Sequence, residues 1–264
     1  MAEAPTYESL VNDLEHEHLE LERTVSRLNE DQLVAASAAR DWSNADQLSH
    51  LAGFDEKAIQ GVADPDAFSA ELADIIEHGR DPIAEFTQRG RLMAPKEVVT
   101  WWNQRRAELI MTLRSCTPDL RVPWYGPSMS LKSHVTARLM ETWAHGQDIR
   151  DSIGEPPLVS SRLRHIADLG VRARPYAYGV NLRELPDTPV RVELVAPDST
   201  TWTWGPESAS EVVRGEALDF VLLVTQRRHL RDVSLDIAGD VAKDWMSFAQ
   251  CFAGGAGPGR EPLH

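Results

Sequence analysis

Residues 137–148 read Ala137-Arg138-Leu139-Met140-Glu141-Thr142-Trp143-Ala144-His145-Gly146-Gln147-Asp148. The segment belongs to a predicted helix from about Ser130 to Ile149, which ends before Gly154-Glu155-Pro156-Pro157. Glu141 and His145 are four residues apart, so on a helix their side chains share one face. Taken alone, such a pair reads equally as an exposed ion pair. His50, in Ser49-His50-Leu51, falls on another predicted helix. If the two helices face each other across a core, His50, Glu141 and His145 offer a divalent ion two imidazoles and a carboxylate. Three protein ligands leave a coordination position open, which is the pattern of a catalytic site.

Outward from that segment, the first half of the chain reads as helices. Leu10, Leu14, Leu21, Val25 and Leu28 recur at helical spacing between Tyr7 and Asn29. A second helix starts at Ser43, where Ser43-Asn44-Ala45-Asp46 fits a capping box and Leu48, Leu51 and Phe54 follow as a stripe. A third runs from about Pro95 to Ser115, with Val98, Trp101, Arg105, Leu109 and Thr112 on one side. A short helix is expected around Phe68 to His78. Four long helices with short links predict an antiparallel bundle.

After Pro157 the pattern changes. Val190–Val195 alternates like a strand, Pro197-Asp198-Ser199 forms a turn, and Thr201–Trp204 alternates again, giving a hairpin. Ala217 to Thr225 and Trp245 to Phe252 read as helices, and Gly254 to Gly259 as loop. The expected fold class is therefore α plus α/β. A helical domain at residues 1–155 is followed by a smaller α+β domain at 156–264.

Composition narrows the partners. With 27 Lys and Arg against 41 Asp and Glu, the net charge is −14. That balance argues against nucleic acid and against anionic lipid. The N-terminal stretch lacks a basic region followed by an apolar one, and no window is apolar enough for a membrane span. The two cysteines, Cys116 and Cys251, lie far apart. A cytoplasmic protein with reduced thiols, monomeric or a small homo-oligomer, is the expectation. No G-x-G-x-x-G after a strand, Walker loop or G-x-S-x-G elbow competes with the metal reading.

Asp41-Trp42-Ser43, the run Asp46-Gln47-Leu48-Ser49-His50-Leu51-Ala52 with Asp55, and segment 137–148 resemble motifs of the DinB-like metal-binding superfamily. Within it the chain is most similar to the mycothiol-dependent maleylpyruvate isomerase family, in a subgroup distinct from the isomerase itself. The resemblance continues through Trp202-Thr203-Trp204-Gly205-Pro206, Val224-Thr225-Gln226-Arg227-Arg228 and Phe252-Ala253-Gly254. It implies a DinB-like four-helix domain joined to a sterol-carrier-like α+β domain, and zinc held by His50, Glu141 and His145. It also implies a low-molecular-weight thiol, mycothiol, activated by zinc for S-transfer to, or isomerisation of, a small electrophilic substrate. An arginine of the second domain is implied at the active site, and Arg227 or Arg228 matches. The same cluster also reads as a surface patch offsetting nearby acids. Asp148 could orient an imidazole or simply end the helix in water.

Two other readings stay open. One is a thiol-independent zinc lyase, hydrolase or cyclase working through bound water. The other is a small-ligand-binding protein with a structural metal. Of the remaining histidines, His134 is expected to form a polar wall, while His16 and His18, among glutamates, are expected in solvent. Trp101, Trp102, Trp124 and Trp143 are expected to pack the core, or to line a cavity. Asp46 is the expected cap partner of Ser43.

Overall fold

The computed structural model describes residues 5–263. The chain divides into two compact units between Pro157 and Leu158. The first holds helices α1 (Tyr7–Val25), α2 (Glu30–Val34), α3 (Asn44–Ala63), α4 (Pro65–His78), α5 (Pro82–Arg91), α6 (Pro95–Arg114) and α7 (Leu131–Ser152). Strands β1 (Arg121–Trp124) and β2 (Gly126–Ser130) form an antiparallel hairpin between α6 and α7. The four long helices α1, α3, α6 and α7 pack on one another, and α5 lies against α3. Among the described residues no helix is long and apolar enough to cross a membrane.

Local chemistry sets where the key helices begin. The Ser43 hydroxyl accepts from the Asp46 amide at 3.1 Å, and the Asp46 carboxylate accepts from the Ser43 amide at 2.9 Å. Asp46 is thus the cap partner that the sequence predicts. Ser130 caps α7 by accepting from the Ser133 amide. Leu48 and Leu51, both fully buried, tie α3 to Leu21, Val98, Trp102 and Ile149. Burial of each such leucine contributes about 2 kcal/mol. They flank His50 and hold its helix in place.

Two glycines let α5 approach α3 beside the site. A Cβ on Gly90 would stand 1.9 Å from the Ser49 hydroxyl, and one on Gly53 would stand 2.2 Å from the Phe86 ring. The sequence does not announce α5, because Pro82 and the short apolar stretch after it resemble a linker. Trp124 and the residues after it form the tip of the β1–β2 hairpin.

The second unit contains α8 (Leu163–Arg172), α9 (Arg174–Val180), β3 (Val190–Val195), β4 (Thr201–Trp204), β5 (Glu211–Glu216), α10 (Ala217–Val224), β6 (Leu235–Ala238) and α11 (Asp240–Met246). Its sheet runs in the order β4-β3-β5-β6, with β3 and β5 parallel and the other pairs antiparallel. The β3–β4 hairpin pairs Val192 with Trp204 and Leu194 with Trp202. Ser199 takes a left-handed φ of 64° at its turn. The last helix is displaced from the Trp245–Phe252 expectation. It begins at Asp240 after Gly239 and stops at Met246, and the Cys251 amide bonds instead to the Val224 carbonyl.

Candidate metal centre

α7 is buried around nearly its whole circumference, so its polar residues are carried into the interior instead of facing solvent. Along it, Glu141 and His145 meet His50 of α3. The Glu141 Oε2 atom lies 3.2 Å from Nε2 of His50 and 3.1 Å from Nε2 of His145. One donor atom from each of the three residues lies within 4.8 Å of the others. Donors about 2.0–2.2 Å from a tetrahedral ion stand about 3.3–3.6 Å apart, so the observed separations match a divalent site after small adjustment. The Glu141 side chain is 21% exposed, against 9% and 11% for His50 and His145, so the site opens on its Glu141 side.

The electrostatics suit a cation. Burial pushes the His50 pKa down to about 4, with His145 adding to the shift and the Glu141 hydrogen bond opposing it. The ring is therefore neutral at pH 7 and its lone pair is available, as metal binding requires. Burial alone would raise the Glu141 carboxyl, but the imidazoles of His145 and His50 that face it outweigh that effect. The group is held well below the usual carboxylate range.

Aromatic rings wall the centre. Trp42 stacks on His145 with ring centroids 5.8 Å apart and lies 5.4 Å from His50. Phe54, one turn beyond His50, sits 4.6 Å from its ring and packs on Phe86 and Tyr125. Trp42 follows Asp41, whose φ of 64° is unusual for a side-chain-bearing residue. Arg91 fastens this bend by donating to the Asp41 carbonyl while pairing with Asp46 at 3.0 Å.

On the same face of α7, Arg138 pairs with Asp55 of α3 at 2.8 Å and also donates to the Leu51 carbonyl. Both partners are almost completely buried. In the sequence Asp55 stands only as part of a motif, and nothing in the spacing marks Arg138 as its partner. His134, two turns before Glu141, is buried and sits edge-on to Trp124 at 4.6 Å, outside the three-residue cluster. His18 departs from expectation. It is 1% exposed, because it lies on the inner side of α1 despite its acidic sequence neighbours, while His16 is exposed. Trp101, Trp102 and Trp143 are core residues.

Asp148 is buried on α7, and its carbonyl accepts from the Ala38 amide. The Nδ1 atom of His145 faces Gln47 Oε1, a residue the sequence did not single out. Arg227 and Arg228 lie in the second unit, in the turn that follows α10. Their guanidinium groups donate to the carbonyls of Thr225 and Arg227, each at 2.7 Å.

Comparisons with known proteins identify the family and the fold. Residues 14–150, just over half of the chain, match the family model described as the mycothiol maleylpyruvate isomerase N-terminal domain. Residues 186–236, within the second unit, match a model described as wyosine base formation, which the sequence reading does not foresee. An uncharacterized protein of Mycobacterium tuberculosis, matched in two strains, is 38% identical over 250 residues, covering 95% of this chain and 97% of its own. The crystal structure of the mycothiol-dependent maleylpyruvate isomerase aligns over 84% of this chain and 90% of that one, with a TM-score of 0.58 and 14% identity. A histidine-to-alanine mutant of that isomerase aligns over 88% of this chain and 93% of its own, with a TM-score of 0.59 and 14% identity. The mostly helical fold with its small mixed sheet is thus the fold of that isomerase. The chain belongs to the mycothiol maleylpyruvate isomerase N-terminal domain family.

Proposed function

We propose that this protein is a metal-dependent enzyme that binds a divalent ion, zinc by donor chemistry, through His50, Glu141 and His145. It would use a low-molecular-weight thiol, mycothiol, for S-transfer or isomerisation of a small electrophilic substrate. The observation that carries this reading is the convergence of two imidazole nitrogens on one carboxylate oxygen at 3.1 and 3.2 Å, inside a bundle of this family. A bound divalent ion supplies Lewis-acid stabilisation of a thiolate at neutral pH, where a free thiol of pKa about 8.5 is mostly protonated.

The protein's own groups prepare that chemistry. Two neutral imidazoles and one carboxylate offset only one of the ion's two charges, so an anionic fourth ligand such as a thiolate is favoured over a neutral one. Trp42 and Phe54 cover the histidine rings and exclude water from their faces. Exposure of Glu141 leaves an approach for thiol and substrate. Arg227 and Arg228 are assigned to grip an anionic group of substrate or thiol, which a guanidinium does through paired hydrogen bonds. Asp148, buried one turn beyond His145, is assigned a supporting role on α7.

The test is metal content of protein purified without added metal, followed by thiol-dependent turnover of electrophilic substrates. Near-stoichiometric metal in the wild type and its loss in His145→Ala is the expected result. Turnover should vanish in His50→Ala and Glu141→Ala. Undiminished turnover in protein freed of all small thiols would transfer the reading to metal-bound water. Absence of metal, even after incubation with zinc, would overturn it.

A further inference from the structure

We infer that Gln47, held in orientation by Ser37, fixes the tautomer of His145 and so makes Nε2 its ligating nitrogen. Gln47 is a positioning residue, and the inference rests on the metal reading above only for its effect on affinity. A neutral imidazole carries one proton, and the partner of one nitrogen decides which of the two is free to ligate.

The orientation follows from a chain of hydrogen bonds. The Ser37 hydroxyl has a single proton, which it donates to the Trp42 carbonyl at 2.9 Å. Its oxygen accepts from the Ala39 amide at 3.2 Å and from Gln47 Nε2 at 2.8 Å. With its proton committed, Ser37 is an acceptor toward Gln47, so the amide nitrogen faces Ser37 and the carbonyl oxygen faces His145. Gln47 is fully buried, so no solvent competes for either end. Oε1 accepts from Nδ1 of His145, which therefore carries the proton. The lone pair is left on Nε2, the atom 3.1 Å from the Glu141 carboxylate.

The same loop does a second task. Ser37 and Trp42 close a turn through the Ser37 amide, which donates to the Trp42 carbonyl at 2.7 Å. The indole of Trp42 then stacks on the ring whose tautomer Ser37 controls. One short segment thus sets both the proton position and the tilt of His145.

Two measurements on three variants test this. Long-range proton–nitrogen spectra of the histidine rings in metal-free protein read the tautomer directly. A proton on Nδ1 is expected in the wild type and in Gln47→Glu, which keeps an acceptor at that nitrogen. Ser37→Ala frees the amide to turn over, and a population with the proton on Nε2 is expected. A proton on Nε2 in the wild type overturns the inference, and so does an unchanged tautomer in Ser37→Ala. Cobalt affinity, measured by chelator competition and visible absorption, should fall 10- to 100-fold in Gln47→Leu and recover in Gln47→Glu. Equal affinity in Gln47→Leu and wild type overturns the positioning role. If the wild type shows the expected tautomer and its switch but binds no metal, the control of the tautomer by Gln47 stands and the metal reading falls.

Discussion

Acid should destabilise this protein through histidines that the bundle buries neutral. His50 is lowered to about 4 and His134 to about 3, in both cases chiefly by burial. In the unfolded chain each ring takes up a proton near 6.5. Between 6.5 and the folded value the unfolded state binds more protons, so stability falls as pH drops through this window and is full above it. At pH 5 the solution stands about 1.5 units below the unfolded pKa of each ring, which corresponds to about 2 kcal/mol per ring. The two together remove about 4 kcal/mol between pH 8 and pH 5, a large part of an ordinary domain's stability. His18, also pushed down by burial, adds to the loss. The assay is urea unfolding of metal-free protein at both pH values, followed by helical circular dichroism, for wild type and His134→Leu. The variant should lose about 2 kcal/mol less than the wild type over this range, whatever its stability at pH 8. Equal losses in the two proteins would show that His134 is not held neutral and would refute the reasoning.

Three further outcomes are expected. Asp55→Ala, which leaves the buried Arg138 cation unpaired, should cost about 3–5 kcal/mol, whereas joint replacement of Asp55 and Arg138 by leucine should cost far less; denaturant midpoints decide. Gly90→Ala drives a methyl into Ser49, one residue from His50, so it should destabilise by about 1–3 kcal/mol and weaken metal binding. Both effects should recede when Ser49→Gly is added. Because Trp42 lies against both histidine rings, cobalt should quench tryptophan fluorescence in the wild type and much less in Trp42→Phe. Equal quenching in the two proteins would place the ion elsewhere.

Some of this protein is decided locally, and the sequence alone carries it. The cap at Ser43 and Asp46, the helical stripes of α1, α3 and α6, and the β3–β4 hairpin depend on neighbours within a few residues. Their spacing is therefore legible. Glu141 and His145 belong with these, because four residues of helix bring them together. His50 is one candidate among several histidines until family likeness is added, since no local rule says which residue of α3 will meet α7. Other features exist only in three dimensions. Gln47 reads as an ordinary helix residue until Ser37, ten positions earlier, turns its amide toward His145. Asp55 and Arg138 lie 83 residues apart, and only packing of α3 on α7 makes them a pair. His18 sits among glutamates that suggest a solvated face, yet α1 turns it inward. α5 can form beside the site because two glycines allow a close approach that no period in the sequence encodes. The sequence by itself determined the helices and the pairing of Glu141 with His145 on one helix face. Tertiary structure decided where His50 meets that pair, the contact of Gln47 with His145, and the buried ion pair of Asp55 and Arg138, because each depends on atoms brought together by packing and not by chain proximity.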